Sequence, residues 1–199
     1  MRMAYLLQGI LFVGIILIAV YAMQLKQASD DSGTIGTAKT SMPTKLAITS
    51  SAFEQNGRIP SKYTCDGDRS VSPPLVFSGV PEGAKSLALI MDDPDVPKVL
   101  HPDGVFDHWV LFNILPGVRE IAEGQTVGTA GANGGGKNAY TGPCPPPQYE
   151  PSEHRYIFVL YALDTILPLK EGATKQEVLK AINGHVIQQA ELIGKYKRI

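Results

Sequence analysis

The sequence predicts an antiparallel β-sandwich with one late helix, and three observations carry this prediction. Three near-continuous apolar runs, bounded by turn residues, have the length and composition of buried strands. Shorter β-like segments alternate with Gly, Pro and Asp turns, and one amphipathic helix pattern comes near the C-terminus. The apolar runs are Ser86–Met91, Val110–Leu115 and Ile157–Leu163.

Residues 1–25 are predicted to be a membrane segment. No charge occurs between Arg2 and Lys26, and the apolar stretch Ala4–Met23 has the ~20 residues that cross a ~30 Å hydrocarbon core as a helix. A secretory signal peptide is the alternative to an uncleaved transmembrane anchor, and the small residues at 20–22 would serve its cleavage. We expect a membrane-anchored, extracytoplasmic domain, with a cytoplasmic domain tethered from inside as the alternative.

Residues 26–44 separate this segment from the domain. They are polar and rich in Ser, Thr, Asp and Gly, so they are predicted to form a flexible stalk without a core. Residues 45–199 are then expected to fold as one domain. The formal net charge of the chain is −1 and no Arg/Lys cluster occurs, so we do not expect a nucleic-acid partner.

The first part of the domain consists of short strands and turns. Leu46–Thr49 and Leu75–Phe77 have β-character, and two prolines mark the start of the second segment. The turn Pro81–Gly83 leads into the first long apolar run. Residues 124–138 are rich in Gly and poor in apolar residues, which predicts a long surface loop of a kind that is often functional.

The C-terminal part of the domain contains the predicted helix. Thr174–Glu177 has the spacing of a capping box, which marks the start of a helix. Val178, Ile182 and Val186 recur at helical intervals and would form its apolar face. The tail Leu192–Tyr196 is expected to return as a final strand.

Four polar side chains flank the apolar runs. Asp93 and Asp95 follow the first run, His108 precedes the second, and His154 precedes the third. Consecutive strands usually run antiparallel, so if the third run is oriented like the second, all four residues meet at one rim of the sheet. Polar groups on a rigid apolar scaffold are typical of small binding sites.

Each of these residues also has an ordinary structural explanation. An Asp-Pro-Asp segment is typical of a solvated turn, and a histidine next to Trp109 is often a hydrogen-bonded interior residue. In extended backbone Asp93 and Asp95 point to one side while Asp92 points to the other, so we expect Asp92 to be structural.

Four motifs follow one another along the domain: Asp93–Pro97, His108-Trp109 with Asn113 beyond it, Tyr140–Pro146, and His154–Tyr156. In this order and spacing they resemble the phosphatidylethanolamine-binding protein (PEBP) family, in particular its bacterial and archaeal Raf kinase inhibitor-like branch. The likeness extends from about Leu46 to Arg198, which is nearly the whole domain.

The resemblance implies a β-sandwich with a small anion-binding pocket. Residues 147–153 depart from the family pattern by adding carboxylates near the pocket mouth, and residues 1–44 are outside the family domain. No catalytic residue, metal or cofactor is expected. The ligand-binding counterparts implied by the resemblance are Asp93, Asp95, His108, Tyr140, Gly142, Pro145, His154 and Tyr156.

Cys65 and Cys144 are the only cysteines of the chain. In an exported domain this pair permits one disulfide, and two separate thiols are the alternative. Neither cysteine belongs to a CxxC motif, which gives little support to a redox or zinc role.

A pocket that combines carboxylates and imidazoles is expected to bind a ligand with both a phosphate and a donor group, such as phosphoethanolamine or a lipid headgroup. Asp93 and Asp95 would repel a bare phosphate. Protonated histidines and backbone N–H groups near Gly142 are expected to hold the phosphate oxygens, so binding should strengthen as the pH falls toward ~6.5.

Two other classes of function remain open at this point. Two histidines and a carboxylate can bind a metal or supply a general base, although no HExxH motif or activated nucleophile occurs in the sequence. The resemblance also implies kinase or protease inhibition, and for an extracytoplasmic domain a protease is the expected protein partner. We predict non-enzymatic binding of a small phosphorylated or headgroup-like ligand.

Overall fold

The computed structural model describes residues 45–198, which form a two-sheet sandwich with one α-helix on the outer face of the larger sheet. A single turn of 3₁₀-helix lies at Ser61–Tyr63, and the α-helix, α1, spans Lys175–Ile182. The strands are β1 (Ala47–Thr49), β2 (Gly57–Arg58), β3 (Leu75–Ser78), β4 (Ser86–Asp93), β5 (Phe106–Ile114), β6 (Glu120–Ile121), β7 (Thr129–Ala130), β8 (Glu153–Leu163) and β9 (Val186–Lys197).

The smaller sheet has the order β1-β3-β6, and the larger sheet has the order β2-β9-β8-β4-β5-β7. All neighbouring strands are antiparallel except β2 and β9, which are parallel. Because β4 lies between β8 and β5 and is antiparallel to both, β5 and β8 run in the same direction. The expected orientation of the second and third apolar runs is confirmed, and it brings the end of β4 beside the starts of both other strands.

Side-chain alternation along β4 divides the core into two layers. Leu87, Leu89 and Met91 contribute to the cluster between the sheets, whereas Ala88 and Ile90 pack with α1 on the other face. All five are at most 2% exposed, as expected for a central strand covered on both sides. The same alternation carries on to the end of the strand and sends its acidic residues to opposite faces.

A register shift at the start of β5 sets the direction of His108. Met91 pairs with Trp109, but the next residue, Asp92, pairs with Asp107, so His108 is left over as the extra residue of a bulge. A bulge changes the face to which the neighbouring side chains point. In consequence Asp107 lies on the helix face with Asp92, while His108 lies on the face of the sandwich with Asp93.

Lys175, in the first turn of α1, holds the helix to this end of the larger sheet. Its ammonium group lies 3.1 Å from the Asp92 carboxylate and also contacts Asp107, and its side chain is only 12% exposed. The helix itself begins with the predicted capping box between Thr174 and Glu177. The ion pairs of Lys175 therefore stabilise, on the α1 face, the strand ends that carry Asp93 and His108.

Two sequence expectations for the C-terminal region are resolved by the structure. The final strand is confirmed but is longer than predicted, since β9 begins at Val186. Val186 was expected on the apolar face of the helix and lies instead in β9 with 40% exposure. The Asn183-Gly184 pair explains the difference, because Gly184 has φ of +80° and the helix ends at Ile182.

One part of the predicted fold is corrected. The fold was expected to include an N-terminal transmembrane helix, but within residues 45–198 no helix is long and apolar enough to cross a membrane. The eight residues of α1 span ~12 Å, against the ~30 Å of a hydrocarbon core, and one of its faces is polar. Residues 1–44, on which the predicted anchor and stalk fall, lie outside the described part of the chain.

Asp92 should make the domain less stable as the pH rises from ~4 to ~6. Burial raises the pKa of Asp92 to about 6 although Lys175 acts in the opposite direction. Above this pH the native state holds an ionised, largely buried carboxylate, whereas the unfolded chain ionises it freely from its ordinary pKa upward. We expect this loss to be of order 2–3 kcal/mol and to vanish in Asp92→Asn.

Urea unfolding of both proteins between pH 4 and pH 7 measures this difference. Asp164→Asn is the matched control because Asp164 is exposed and distant in the fold from α1's first turn. Equal pH dependence of the free energy of unfolding in the wild type and Asp92→Asn would contradict the assignment.

Candidate functional site

A pocket of about 290 Å³ opens at the rim where β4 ends and where β5 and β8 begin. Its deepest polar side chains, Asp93, His108 and His154, are all at least 95% buried, whereas Arg69 is exposed. Of the predicted site residues, Asp93, His108, Pro145 and His154 line the pocket, together with Cys144. The other lining residues are Arg69, Val96, Leu100, His101, Phe106 and Pro146.

The Asp93 carboxylate is the central group of the pocket. One oxygen accepts a hydrogen bond from the Asp95 backbone N–H at 2.9 Å, and the other lies 2.7 Å from His154 Nδ1. His108 Nε2 is 4.0 Å from the same second oxygen, which is too far for a direct hydrogen bond. A donor placed between His108 and Asp93 would therefore find an acceptor on each side.

His108 is held in one orientation by a hydrogen bond and by ring contacts, including an edge-on contact with Phe106 at a centroid distance of 4.9 Å. Its Nδ1 hydrogen-bonds the Thr141 carbonyl, and its ring packs edge-on against Tyr156 at a centroid distance of 5.2 Å. Burial lowers the pKa of His108 to about 4, although the Thr141 carbonyl and Asp93 act in the opposite direction. Because a carbonyl only accepts, Nδ1 carries the proton and Nε2 presents a lone pair. The expectation of a protonated histidine near pH 6.5 is wrong for His108.

Two buried polar groups of this region have no hydrogen bond of normal geometry among the described residues. They are Nε2 of His154 and the hydroxyl of Tyr156, and the second faces the Asp93 carboxylate. Burial and the nearby Asp93 carboxylate raise the pKa of Tyr156, so its hydroxyl stays protonated. Buried polar atoms without partners are costly, and in a binding site they are commonly satisfied by the ligand or by water.

Asp95 has a different environment from Asp93. Its carboxylate accepts three hydrogen bonds from Arg155, from the backbone N–H, Nε and Nη2, at 2.7–2.9 Å. These bonds hold the pKa of Asp95 below its ordinary value. Asp95 is absent from the pocket lining, and its geometry fits a clamp that fastens the turn after β4 to β8.

Tyr140 and Gly142 shape the wall next to the pocket. The Tyr140 hydroxyl donates to the Tyr63 carbonyl at 3.0 Å, and the Gly142 N–H donates to the Arg69 carbonyl at 2.7 Å. A Cβ at Gly142 would lie 2.2 Å from the Tyr63 oxygen, so only glycine allows this approach. The Gly142 N–H is thus engaged within the protein, and the expectation that backbone N–H groups near Gly142 hold a phosphate stays a prediction.

Cys65 and Cys144 form a disulfide with a Cα–Cα distance of 5.3 Å. The Cys65 N–H also donates to the Pro143 carbonyl, so the two segments are joined twice. This link fastens the proline wall of the pocket to the segment that carries Arg69. A disulfide that closes a long loop stabilises a domain typically by ~2–4 kcal/mol.

Sequence analysis did not select Arg69, Phe106 or His101 as site residues. Arg69 falls in a turn-like Asp-Gly-Asp-Arg segment, and its place at the pocket depends on the Gly142 contact across the fold. Phe106 of β5 pairs with Asp93 of the neighbouring strand β4, and no local sequence pattern reveals this register. A cation next to a turn aspartate is too common a feature to have been a usable signal.

Within residues 45–198 no group of three or more His, Cys, Asp or Glu side chains is arranged to hold a metal ion. Arg69 makes no ion pair with any residue in this range. Its positive charge is felt at His108, whose pKa it helps to lower. The pocket therefore has acceptors at its base and an unpaired cation on its exposed side.

Comparison with known proteins agrees with this fold. The family model described as phosphatidylethanolamine-binding protein matches residues 49–197. The chain belongs to the phosphatidylethanolamine-binding protein family. A UPF0098 protein of Chlamydia muridarum is 46% identical over 154 residues, which cover 77% of this chain and 99% of the relative. Membership in the PEBP family supports a ligand-binding role of a non-enzymatic kind.

Two crystal structures show the same fold. A PEBP homologue from Chlamydia trachomatis has a TM-score of 0.74 and 44% identity, covering 78% of this chain and 99% of that one. YbcL of E. coli, described as a new member of the mammalian PEBP family, has a TM-score of 0.69 and 27% identity at the same coverage. The resemblance noted from the sequence motifs is confirmed.

The imidazole of His108 should remain neutral down to about pH 4. NMR titration of the ring nitrogens should give a midpoint near pH 4. Because the negative charge of Asp93 favours the imidazolium, Asp93→Asn should move this midpoint lower still. A midpoint near the ordinary histidine value of ~6.5, or an upward shift in Asp93→Asn, would contradict the assigned protonation state.

Proposed function

We propose that the pocket binds, without chemical conversion, a small ligand that joins a phosphate to a hydrogen-bond donor, and that phosphoethanolamine is its simplest form. A phospholipid headgroup and a soluble phosphoryl compound share this chemistry. One observation carries the proposal: the buried end of the pocket contains hydrogen-bond acceptors, whereas its exposed side contains a cation.

The buried end fits an ammonium or hydroxyl group. The Asp93 carboxylate and the lone pair of His108 Nε2, which are 4.0 Å apart, both accept hydrogen bonds. A phosphate at this position would meet the Asp93 charge in a site shielded from water, where like charges repel most strongly. An ammonium group would be attracted by the same charge and would bridge the two acceptors.

The exposed side fits the phosphate. Arg69 lines the pocket and has no carboxylate partner among the described residues, so its planar donors can bind phosphate oxygens. The side chains between the two ends, Val96, Leu100, Phe106, Pro145 and Pro146, are apolar and suit the methylene groups of a short linker. A small ligand with opposite charges at its two ends matches the order of these groups.

Calorimetric titration of the domain with phosphoethanolamine, ethanolamine and inorganic phosphate tests this proposal. Asp93→Asn should weaken phosphoethanolamine binding by at least about tenfold, since a buried charge-assisted hydrogen bond is lost. Arg69→Met should weaken phosphoethanolamine binding but leave ethanolamine binding nearly unchanged. Asp164→Asn is the control, because this exposed aspartate pairs with His185 and does not line the pocket.

Binding should also respond to pH in a defined direction. His108 accepts a hydrogen bond only while neutral, so affinity should fall as the pH drops toward about 4 and should not rise near pH 6.5. Glycerophosphoethanolamine is the probe for this profile, since a phosphodiester lacks the second phosphate ionisation near pH ~6. Equal affinities in the wild type and Asp93→Asn, or hydrolysis of the ligand, would refute the proposal.

A further inference from the structure

A second cavity of about 340 Å³ lies next to the pocket and shares two of its residues. Arg69 and Phe106 line both spaces and so form the partition between them. The far side of the second cavity is formed by the Gly-rich loop that follows β7 and by the segment leading to Tyr140. The remaining lining residues are Ser70, Asn133, Gly135, Lys137, Ala139, Tyr140 and Thr141.

The charged residues that line this cavity are all cations. Arg69 and Lys137 are exposed, and neither forms an ion pair within residues 45–198. The Thr141 hydroxyl accepts from Asn133 Nδ2 at 3.3 Å, which leaves its own proton for another acceptor. Two unpaired cations and a hydroxyl donor thus surround a space without a carboxylate.

The acidic residues next to Arg69 and Phe106 in the sequence, Asp68 and Asp107, are engaged elsewhere. Asp68 accepts the backbone N–H and the hydroxyl of Ser70 and does not line the cavity. Asp107 contacts Lys175 on the opposite face of the larger sheet. The positive charge of the cavity is therefore not neutralised by a carboxylate of its own lining.

The loop that carries Lys137 is a built structure. Asn133 is only 5% exposed, and its side chain accepts from the N–H groups of Gly135 and Lys137 and donates to the Ala139 carbonyl. Gly134 packs against Phe106 so closely that a Cβ would lie 2.8 Å from the ring. These contacts fix the backbone at Lys137 beside the cavity, so less ordering is required when a ligand binds.

From these observations we infer that the second cavity is an anion-binding site, which takes a phosphate or carboxylate group between Arg69 and Lys137. It shares Arg69 and Phe106 with the acceptor-lined pocket, but Lys137 lines only the second cavity, so the site does not require phosphoethanolamine binding in the pocket. Both cations are exposed, so the attraction is screened by salt over a Debye length of ~8 Å at ~0.15 M and ~30 Å at ~0.01 M. Binding strengthens as the ionic strength falls.

NMR titration of the ¹⁵N-labelled domain with inorganic phosphate and, separately, with sodium acetate tests this inference. Phosphate should shift the amide signals of Ser70, Gly135 and Lys137 in a saturable manner. Lys137→Met should weaken this binding about fivefold, the effect of losing one exposed charge-assisted contact, while Lys137→Arg should retain it. Lys180→Met is the matched control, since Lys180 is an exposed lysine on α1 without an ion pair in the described chain.

This experiment distinguishes a failure of the second site from a failure of phosphoethanolamine binding in the pocket. Asp93→Asn should weaken phosphoethanolamine binding and leave the phosphate response of Gly135 intact. Lys137→Met should weaken the phosphate response of Gly135 and leave phosphoethanolamine binding intact. A response to phosphate but not to acetate assigns the site to phosphoryl groups, and a response to both assigns it to oxyanions in general. Signals that do not saturate, or the same affinity in Lys137→Met and Lys180→Met, would overturn the inference.

Discussion

The buried carboxylate of Asp93 is the interaction on which the candidate site depends. A carboxylate that is 3% exposed is tolerated only when its oxygens receive hydrogen bonds. The Asp95 N–H donates to one oxygen of Asp93, and His154 hydrogen-bonds the other. The Asp93 carboxylate therefore binds both the turn after β4 and the first residues of β8. The direct partners still leave room for one more donor on the side of His108, and the proposed ligand-binding role of Asp93 rests on this remaining capacity.

The end of β4 contacts both layers of the core, because its neighbouring acidic residues point to opposite faces of the sheet. On the inner face Asp93 meets the imidazoles, and on the outer face Asp92 and Asp107 meet Lys175 of α1. The bulge at His108 is required for both arrangements, since it places His108 and Asp107 on the correct sides. The ion cluster of Lys175 with Asp92 and Asp107 therefore stabilises the rim on the α1 face, while the pocket opens on the other face.

Arg69 connects the two cavities of this surface. It is not compensated by an ion pair in the described chain, and it stands between a pocket with buried acceptors and a cavity with a second cation. The lining therefore changes from negative charge at Asp93 to positive charge at Arg69 and Lys137. In the pocket this order favours a ligand with a cationic and an anionic end. Its position depends on the Gly142 hydrogen bond to its carbonyl and on the disulfide between Cys65 and Cys144.

Apolar runs, capping residues and motif spacing are local properties, and they were enough to predict the sandwich, the strands that carry the candidate site and the family. It also selected Asp93, His108 and His154, which the fold places at one rim. Local patterns did not predict that Asp95 pairs with Arg155, that burial lowers the pKa of His108, or that Arg69 reaches the pocket. These outcomes depend on strand register, on burial and on contacts such as that between His154 and Asp93, 61 positions apart, which no local pattern contains.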